Sequence, residues 1–375
     1  MFFKNANIYT QDFTFQMGAF SVENGKFHEV LAQDVPADAI DLEGAYVIPG
    51  LVDVHNHGNS NQDFSDGNYE GLKTMASYLA SVGVTSFAPA TMTLPYDVLA
   101  KAFANGKALH DEAPAGHSRL MGIQMEGPFF SMKKKGAQNG AYLKNPDFEA
   151  FKKLQEDCGG MVRIVDVAPE LPGSVEFIEK AKELCTVSVA HTDANYDEAK
   201  AAFDAGATHV THLFNAMPPI NHRAPGVIPA AAENPNVRAE IICDGLHIHP
   251  ASIRLAFSAF GAERMILISD ALRCCGMPDG EYELGGQQVF LAGGVARLAD
   301  GTIAGSATNL FECMRNAISF GIAPEDAVRA ASWNPACAIG AQEEIGSIAP
   351  GKMADFVVCN KDFSRKAVYM DGQLV

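Results

Sequence analysis

Two histidines one residue apart, His55 and His57, close an apolar run that begins at Val47. In extended chain, residues i and i+2 point to one face, so both imidazoles can reach a single metal ion. Other apolar runs end in comparable groups: Glu126, His191, His212 and Asp270. Any one of them, taken alone, reads as an ordinary cap or hydrogen-bonding residue. Together, four histidines, a glutamate and an aspartate make a donor set for one or two divalent ions. Such ions lower the pKa of bound water from about 15.7 towards 7, which provides a nucleophile for hydrolysis at neutral pH. His28, His110 and His117 fall outside the pattern and are expected on the surface or in loops. His209, three residues before His212 and so on the other strand face, is expected to pack.

These side chains can meet only if the elements carrying them converge. From Val47 the texture is one of short, nearly continuous apolar runs, each followed by a helical stretch, as in strands buried on both faces of a parallel sheet. There are eight: 47–55, 84–89, 120–126, 162–168, 187–191, 209–214, 239–244 and 265–270. Among the helices between them, 195–205 has Asp193 or Asn195 as N-cap and Gly206 as its stop. Eight repeats predict a (β/α)8 TIM-like barrel over residues 47–345, in which all strand ends open on one mouth. An insertion at 281–303 reads as a hairpin, and 309–320 and 324–331 read as helices. Residues 1–44 alternate as antiparallel strands, with turns at Asn24-Gly25 and Glu43-Gly44. The tail returns to strands at 355–359 and 367–375, with a turn at Asp371-Gly372. The fold class is therefore α/β, with a small β-sandwich domain formed by both termini (1–46 and 346–375).

Of 375 residues 47% are hydrophobic and 19% charged, a globular balance rather than a disordered one. A net charge of −17 repels the phosphates of nucleic acid and of anionic lipid, so neither is an expected partner. An anionic substrate would need a local cluster of donors. No stretch approaches the roughly 18 apolar residues of a membrane span, and residues 1–10 lack a signal-like apolar core, so a cytoplasmic location is expected. Eight scattered cysteines without C-x-x-C spacing, two of them adjacent at Cys274-Cys275, suit buried or free thiols.

The chain resembles the amidohydrolase superfamily and, within it, the N-acetylglucosamine-6-phosphate deacetylases, over nearly its whole length. The strings that carry the resemblance are Pro49-Gly50-Leu51-Val52-Asp53-Val54-His55-Asn56-His57-Gly58, Met125-Glu126-Gly127-Pro128-Phe129 and His212-Leu213-Phe214-Asn215-Ala216-Met217. Arg223-Ala224-Pro225-Gly226, Asp244-Gly245-Leu246-His247, Ser269-Asp270-Ala271 and the closing stretch from Gly346 to Asp355 extend it. The His-x-His and the closing segment are superfamily-wide; Glu-Gly-Pro, Phe-Asn-Ala-Met and Asp-Gly-Leu-His are closer to the deacetylases.

The resemblance implies that Glu126, His191 and His212 hold a principal ion, with Glu126 in a bridging place, and that His55 and His57 hold a second. Zinc is the first expectation, and iron, manganese or cobalt also suit the donors. Asp270 would take a proton from the attacking water and return it to the leaving nitrogen. His247 would contact substrate and stabilise the oxyanion, with His249 as a competitor for that role. Asn215, Ala216 and Arg223, with His222, would form the anion cluster, Arg223 reaching its phosphate across the interface of an expected homodimer. The Lys133-Lys134-Lys135 loop is either a solvated surface run or a neighbour of the sugar contacts. Gln138 stands where relatives more often carry histidine, which leaves N-acetylgalactosamine-6-phosphate open as the amino-sugar phosphate substrate. The competing readings are an amidohydrolase acting on N-acyl amino acids or cyclic amides, and a catalytically silent, metal-stabilised scaffold.

Overall fold

The computed structural model describes all 375 residues, and its framework follows from how the apolar runs pair. Eight parallel strand positions form a ring: Leu51–Asp53, Val84–Phe87, a third in two pieces (Arg119–Leu120 and Ile123–Met125), Val162–Val167, Thr186–Val189, His209–Val210, Arg238–Ile242 and Met265–Ile268. One ladder runs from Ile123–Met125 round to Met265–Ile268, and a second joins Leu51–Asp53, Val84–Phe87 and Arg119–Leu120. The two arcs meet where Gln124 N–H donates to Pro89 O at 3.0 Å, and again where Asp270 N–H donates to His55 O at 2.9 Å. The result is a TIM-like barrel. Alternation divides the strand residues between its two faces. Val52, Ile164, Ile242, Ile266 and Ile268 cluster together within the ring, while Leu51, Val165, Ile241 and Leu267 join the large core shared with the outer helices.

Several strands differ from expectation at their ends. The run 47–55 is two strands, Tyr46–Pro49 and Leu51–Asp53, serving different sheets. The break falls at Gly50, where a Cβ would meet Thr85 Oγ1 at 2.0 Å. The run 120–126 is likewise interrupted at residues 121–122, and 209–214 is a strand only at His209–Val210. Beyond Val210 the chain turns, with positive φ at His212, Phe214 and Ala216. Helix Tyr196–Ala205 forms as its sequence dictates. Asn195 caps it and completes a capping box with Glu198, Gly206 ends it, and Ala199, Ala202 and Phe203 bury one stripe.

Strands from both chain ends pair in one eight-stranded sheet, not in separate hydrogen-bonded layers. Phe2–Tyr9, Phe15–Glu23 and Lys26–Val30 are antiparallel as predicted, but Phe2–Tyr9 lies parallel to Ile40–Asp41 and to Tyr46–Pro49. Phe27 and Phe356 sit four strand steps apart, about 19 Å in a flat sheet, yet their ring centroids are 6.0 Å apart. The sheet therefore curls over its own core of Phe3, Phe20, Phe27 and Phe356. Its other face, through Ile48, Val357 and Cys359, packs on the barrel.

The 281–303 insertion is three strands rather than a hairpin: Gly280–Leu284, Gln287–Ala292 and Val295–Leu298. Its apolar side buries Leu284, Val289 and Leu298 against Met92, Leu272 and Cys274 near the barrel mouth. Helices Leu310–Ser319 and Pro324–Ala331 follow. A third, Trp333–Ala338, is too short to show periodicity in sequence and is anchored by Asn334 Nδ2 donating to Ala262 O and Met265 O. All eight cysteines are free, six of them buried. No helix is long and apolar enough to cross a membrane.

Candidate metal centre

Glu126 leaves its strand end with both oxygens enclosed by imidazoles. Oε1 stands 3.0 Å from His191 Nε2, 3.2 Å from His212 Nε2 and 3.8 Å from His55 Nε2, and Oε2 stands 3.3 Å from His57 Nε2. Two overlapping donor groups result, His55/His57/Glu126 and Glu126/His191/His212, all buried. Asp270 Oδ1 joins them at 3.3 Å from His57 Nε2 and 3.7 Å from His55 Nε2. The sequence-predicted ligands thus converge on a space a few ångströms across.

The orientation of the rings tests whether that space suits a cation. Burial lowers the pKa of His191, which favours the neutral ring, and its Nδ1 lies 2.9 Å from Lys134 O, an atom that can only accept. The hydrogen is therefore on Nδ1, and Nε2 presents a bare lone pair to Glu126 Oε1 and, at 3.0 Å, to His212 Nε2. Phe130 stacks on the ring at 4.4 Å and holds its plane. His55 Nε2 is buried with no hydrogen-bond partner. Acceptors facing acceptors in a buried space are costly unless a cation lies among them. The residues fit a divalent ion, and imidazole with carboxylate suits zinc, iron, manganese and cobalt.

The centre forms the floor of a cavity of about 230 Å³ lined also by Gln138, Asn215, Ala216, His247 and the Thr302 to Gly305 segment. Burial pushes the Asp270 carboxyl up, but the hydrogen bond from His57 and the imidazoles of His55 and His212 around it outweigh it and hold the pKa below the usual carboxylate range. Asp270 is thus an anion able to accept a proton. His247 is tied at both nitrogens, Nδ1 to Asp244 Oδ2 at 2.7 Å and Nε2 to Ala304 O at 2.9 Å. Burial opposes its charge, yet Asp244 prevails and raises its pKa. Gln138 is fixed from two sides: Oε1 accepts from Thr93 N–H at 2.7 Å, and Nε2 donates to Glu126 Oε2 at 2.9 Å. Its amide therefore steadies the central carboxylate.

Other predicted residues lie elsewhere. Arg223 is exposed and lines a separate groove with Asn195, Tyr196 and Glu233, so the cavity of one chain is lined by no lysine or arginine. The left-handed turns after Val210 carry this loop outward, together with exposed His222. His249 caps helix Pro250–Phe260, accepting from Ala251 N–H. The lysine run reaches the centre through backbone, Lys134 O, while Lys133 pairs with Asp193 on the surface. His209 is packed as expected, with Nδ1 on Ser188 Oγ at 2.9 Å. His28 and His110 are exposed, His110 on helix Tyr96–Glu112 with Nδ1 on Leu120 O, and His117 is half-buried in the loop that follows that helix.

Sequence reasoning missed the polar side chains beneath the centre: Asp53, Gln124, Asp166 and Glu240, all fully buried. Asp53 accepts from Ser269 Oγ at 2.6 Å, and Asp166 from Gln124 and Thr211. The available signal was a charged residue inside a run otherwise apolar enough for a buried strand.

Fold and centre together define a barrel metallohydrolase. The amidohydrolase family model matches residues 46–375. The chain is 37% identical over 374 residues to the N-acetylglucosamine-6-phosphate deacetylase of Bacillus subtilis (strain 168), covering 96% of this chain and 93% of the relative. It is 31% identical to an N-acetylgalactosamine-6-phosphate deacetylase of Escherichia coli O157:H7, covering 91% of each. A solved structure of the Mycobacterium smegmatis N-acetyl-D-glucosamine-6-phosphate deacetylase, an aspartate-to-alanine mutant in complex with N-acetyl-D-glucosamine-6-phosphate, superposes with a TM-score of 0.93. Identity there is 33%, with 100% of this chain and 98% of the other covered. The chain belongs to the amidohydrolase family.

Proposed function

We infer that this chain hydrolyses the acetamide of N-acetylglucosamine-6-phosphate, releasing acetate and glucosamine-6-phosphate. The observation that carries the substrate is the likeness, along 96% of the chain, to a deacetylase of that sugar phosphate. Glu126, His191 and His212 would hold the principal ion and His55 and His57 a second, with zinc the first choice. A divalent ion so held polarises a carbonyl and lowers the pKa of water. Asp270 accepts the proton of the attacking water at Oδ and delivers it to the departing nitrogen. His247 lies on the cavity wall, where its Nε2–H can turn from Ala304 O to the developing oxyanion. Asn215 and Ala216 line the wall on which the sugar rests. Because one chain's cavity offers the phosphate no cation, Arg223 of a second copy supplies it in a homodimer. A phosphorylated sugar does not cross a bilayer unaided, and this supports a cytoplasmic site for the reaction.

Gln138 favours keeping N-acetylgalactosamine-6-phosphate as a second reading, because its amide is already committed to Thr93 and Glu126. Acetate release over both sugar phosphates and over unphosphorylated N-acetylglucosamine, with metal quantified on the same sample, tests the proposal. A large preference for N-acetylglucosamine-6-phosphate is expected; equal rates without the phosphate would overturn it.

A further inference from the structure

Glu240 lies in the seventh barrel strand, Arg238–Ile242, with no exposed surface. A carboxyl group at this depth is costly to bury unless hydrogen bonds or charges compensate it. Only two donors contact it within hydrogen-bond distance, and both belong to metal-ligand residues. Oε2 accepts from the backbone N–H of His212 at 3.2 Å and lies 2.9 Å from Nδ1 of His55. Oε1 has no partner, with His209 Nε2 3.7 Å away.

These contacts determine which nitrogen of His55 is available. An oxygen already accepting from a backbone N–H takes the Nδ1 hydrogen as well. That leaves Nε2 as a lone pair, and it is the nitrogen aimed into the centre, 3.8 Å from Glu126 Oε1 and 3.7 Å from Asp270 Oδ1. Both distances exceed a hydrogen bond. A neutral imidazole free to choose would place its hydrogen on Nε2, towards those carboxylates, and cease to be a ligand. His57 has no such restraint, since its Nδ1 is buried without a partner. The second ion's site therefore depends on Glu240 more than the first, whose His191 is oriented by Lys134 O.

We propose that Glu240 is the positioning residue that makes His55 a ligand and so creates the second metal site of this chain. The inference rests on the metal-centre reading above, and zinc titration of the metal-free protein separates the two. Wild type is expected to bind two Zn²⁺ ions. Glu240→Leu, which removes the acceptor at similar volume, is expected to weaken one of them by about 10- to 100-fold and leave the other within about threefold. Glu240→Gln can place its amide oxygen where Oε2 stands and is expected to recover most of the loss, a rescue that general damage to the barrel would not give. Wild-type Zn²⁺ binding by both ions in Glu240→Leu would overturn the proposal, as would equal weakening of both ions. No Zn²⁺ bound by wild type would instead sink the metal-centre reading itself. If Glu240→Leu does not fold, anomalous scattering from zinc-loaded wild-type crystals decides. An ion on His55 Nε2 with Nδ1 on Glu240 is expected, and no ion at Nε2 refutes the idea.

Discussion

Replacing Asp270 by asparagine preserves shape and removes the proposed proton carrier. The cavity contains only one other carboxylate, Glu126, and that group is enclosed by His57, His191, His212 and Gln138. His247 is engaged at both nitrogens. No neighbour is free to take over, so the loss should fall in the upper part of the range for general acid–base catalysis, about 10³- to 10⁴-fold in kcat. At 1.36 kcal/mol per decade this is about 4–5 kcal/mol of barrier. The two imidazoles facing Asp270 Oδ1 keep Glu126 as their shared anionic partner, so the metal should remain. The assay is steady-state acetate release from N-acetylglucosamine-6-phosphate, with metal content measured by mass spectrometry on the same preparation. Turnover within tenfold of wild type in a fully metallated variant would refute the role. Loss of activity accompanied by loss of metal would show that Asp270 acts as a ligand rather than a proton carrier.

Removing metal with a chelator should abolish acetate release and lower the melting temperature, because the facing acceptors of the centre lose what holds them together; unchanged melting would argue against an ion there. Arg223→Ala should raise KM for the phosphorylated sugar with little change in its stability. Mixing it with Asp270→Asn should restore part of the activity in hybrid dimers, and no restoration would place Arg223 with its own subunit. Burial lowers the pKa of His209 from 6.5 to about 4. Between those values the unfolded chain binds the proton and the native chain does not, so this stability, about 3 kcal/mol, is complete above pH 6.5 and is lost as pH falls towards 4. His209→Gln should therefore flatten the acid side of a plot of melting temperature against pH, and an unaltered slope would disprove the assignment. Phe356→Ala, which empties the centre of the terminal aromatic cluster, should cost about 3–5 kcal/mol in denaturant unfolding; a cost below 1 kcal/mol would mean that the cluster closes over the gap.

The convergence of the candidate ligands was legible in sequence because barrel topology turns separate strand ends into neighbours. His55, His57, Glu126, His191 and His212 each follow an apolar run, and that pattern survives errors in strand length. The strand ends were less legible. Residues 209–214 look extended by composition, but His212 and Phe214 adopt positive φ, which is favoured only by the loop that must leave the barrel there. The break at Gly50 depends on Thr85 from another strand, a contact absent from local sequence. Gln138 shows the same limit at the site. Its place in a motif suggests a sugar contact, and only the folded chain reveals that Thr93 and Glu126 occupy both ends of its amide. Asp166 and Glu240 were visible as charges in buried runs, but what they face depends on strands far away in the sequence.

The terminal sheet affects how the protein is made. Tyr46–Pro49 pairs along one edge with Phe356–Cys359, which leaves the ribosome about 300 residues later, or about 15–60 s at ordinary translation speeds. Until then an apolar strand beside the finished barrel has an unpaired edge, a template for joining other nascent chains. Translation pauses late in the message should therefore increase the fraction that aggregates, while pauses after the last strand has emerged should not.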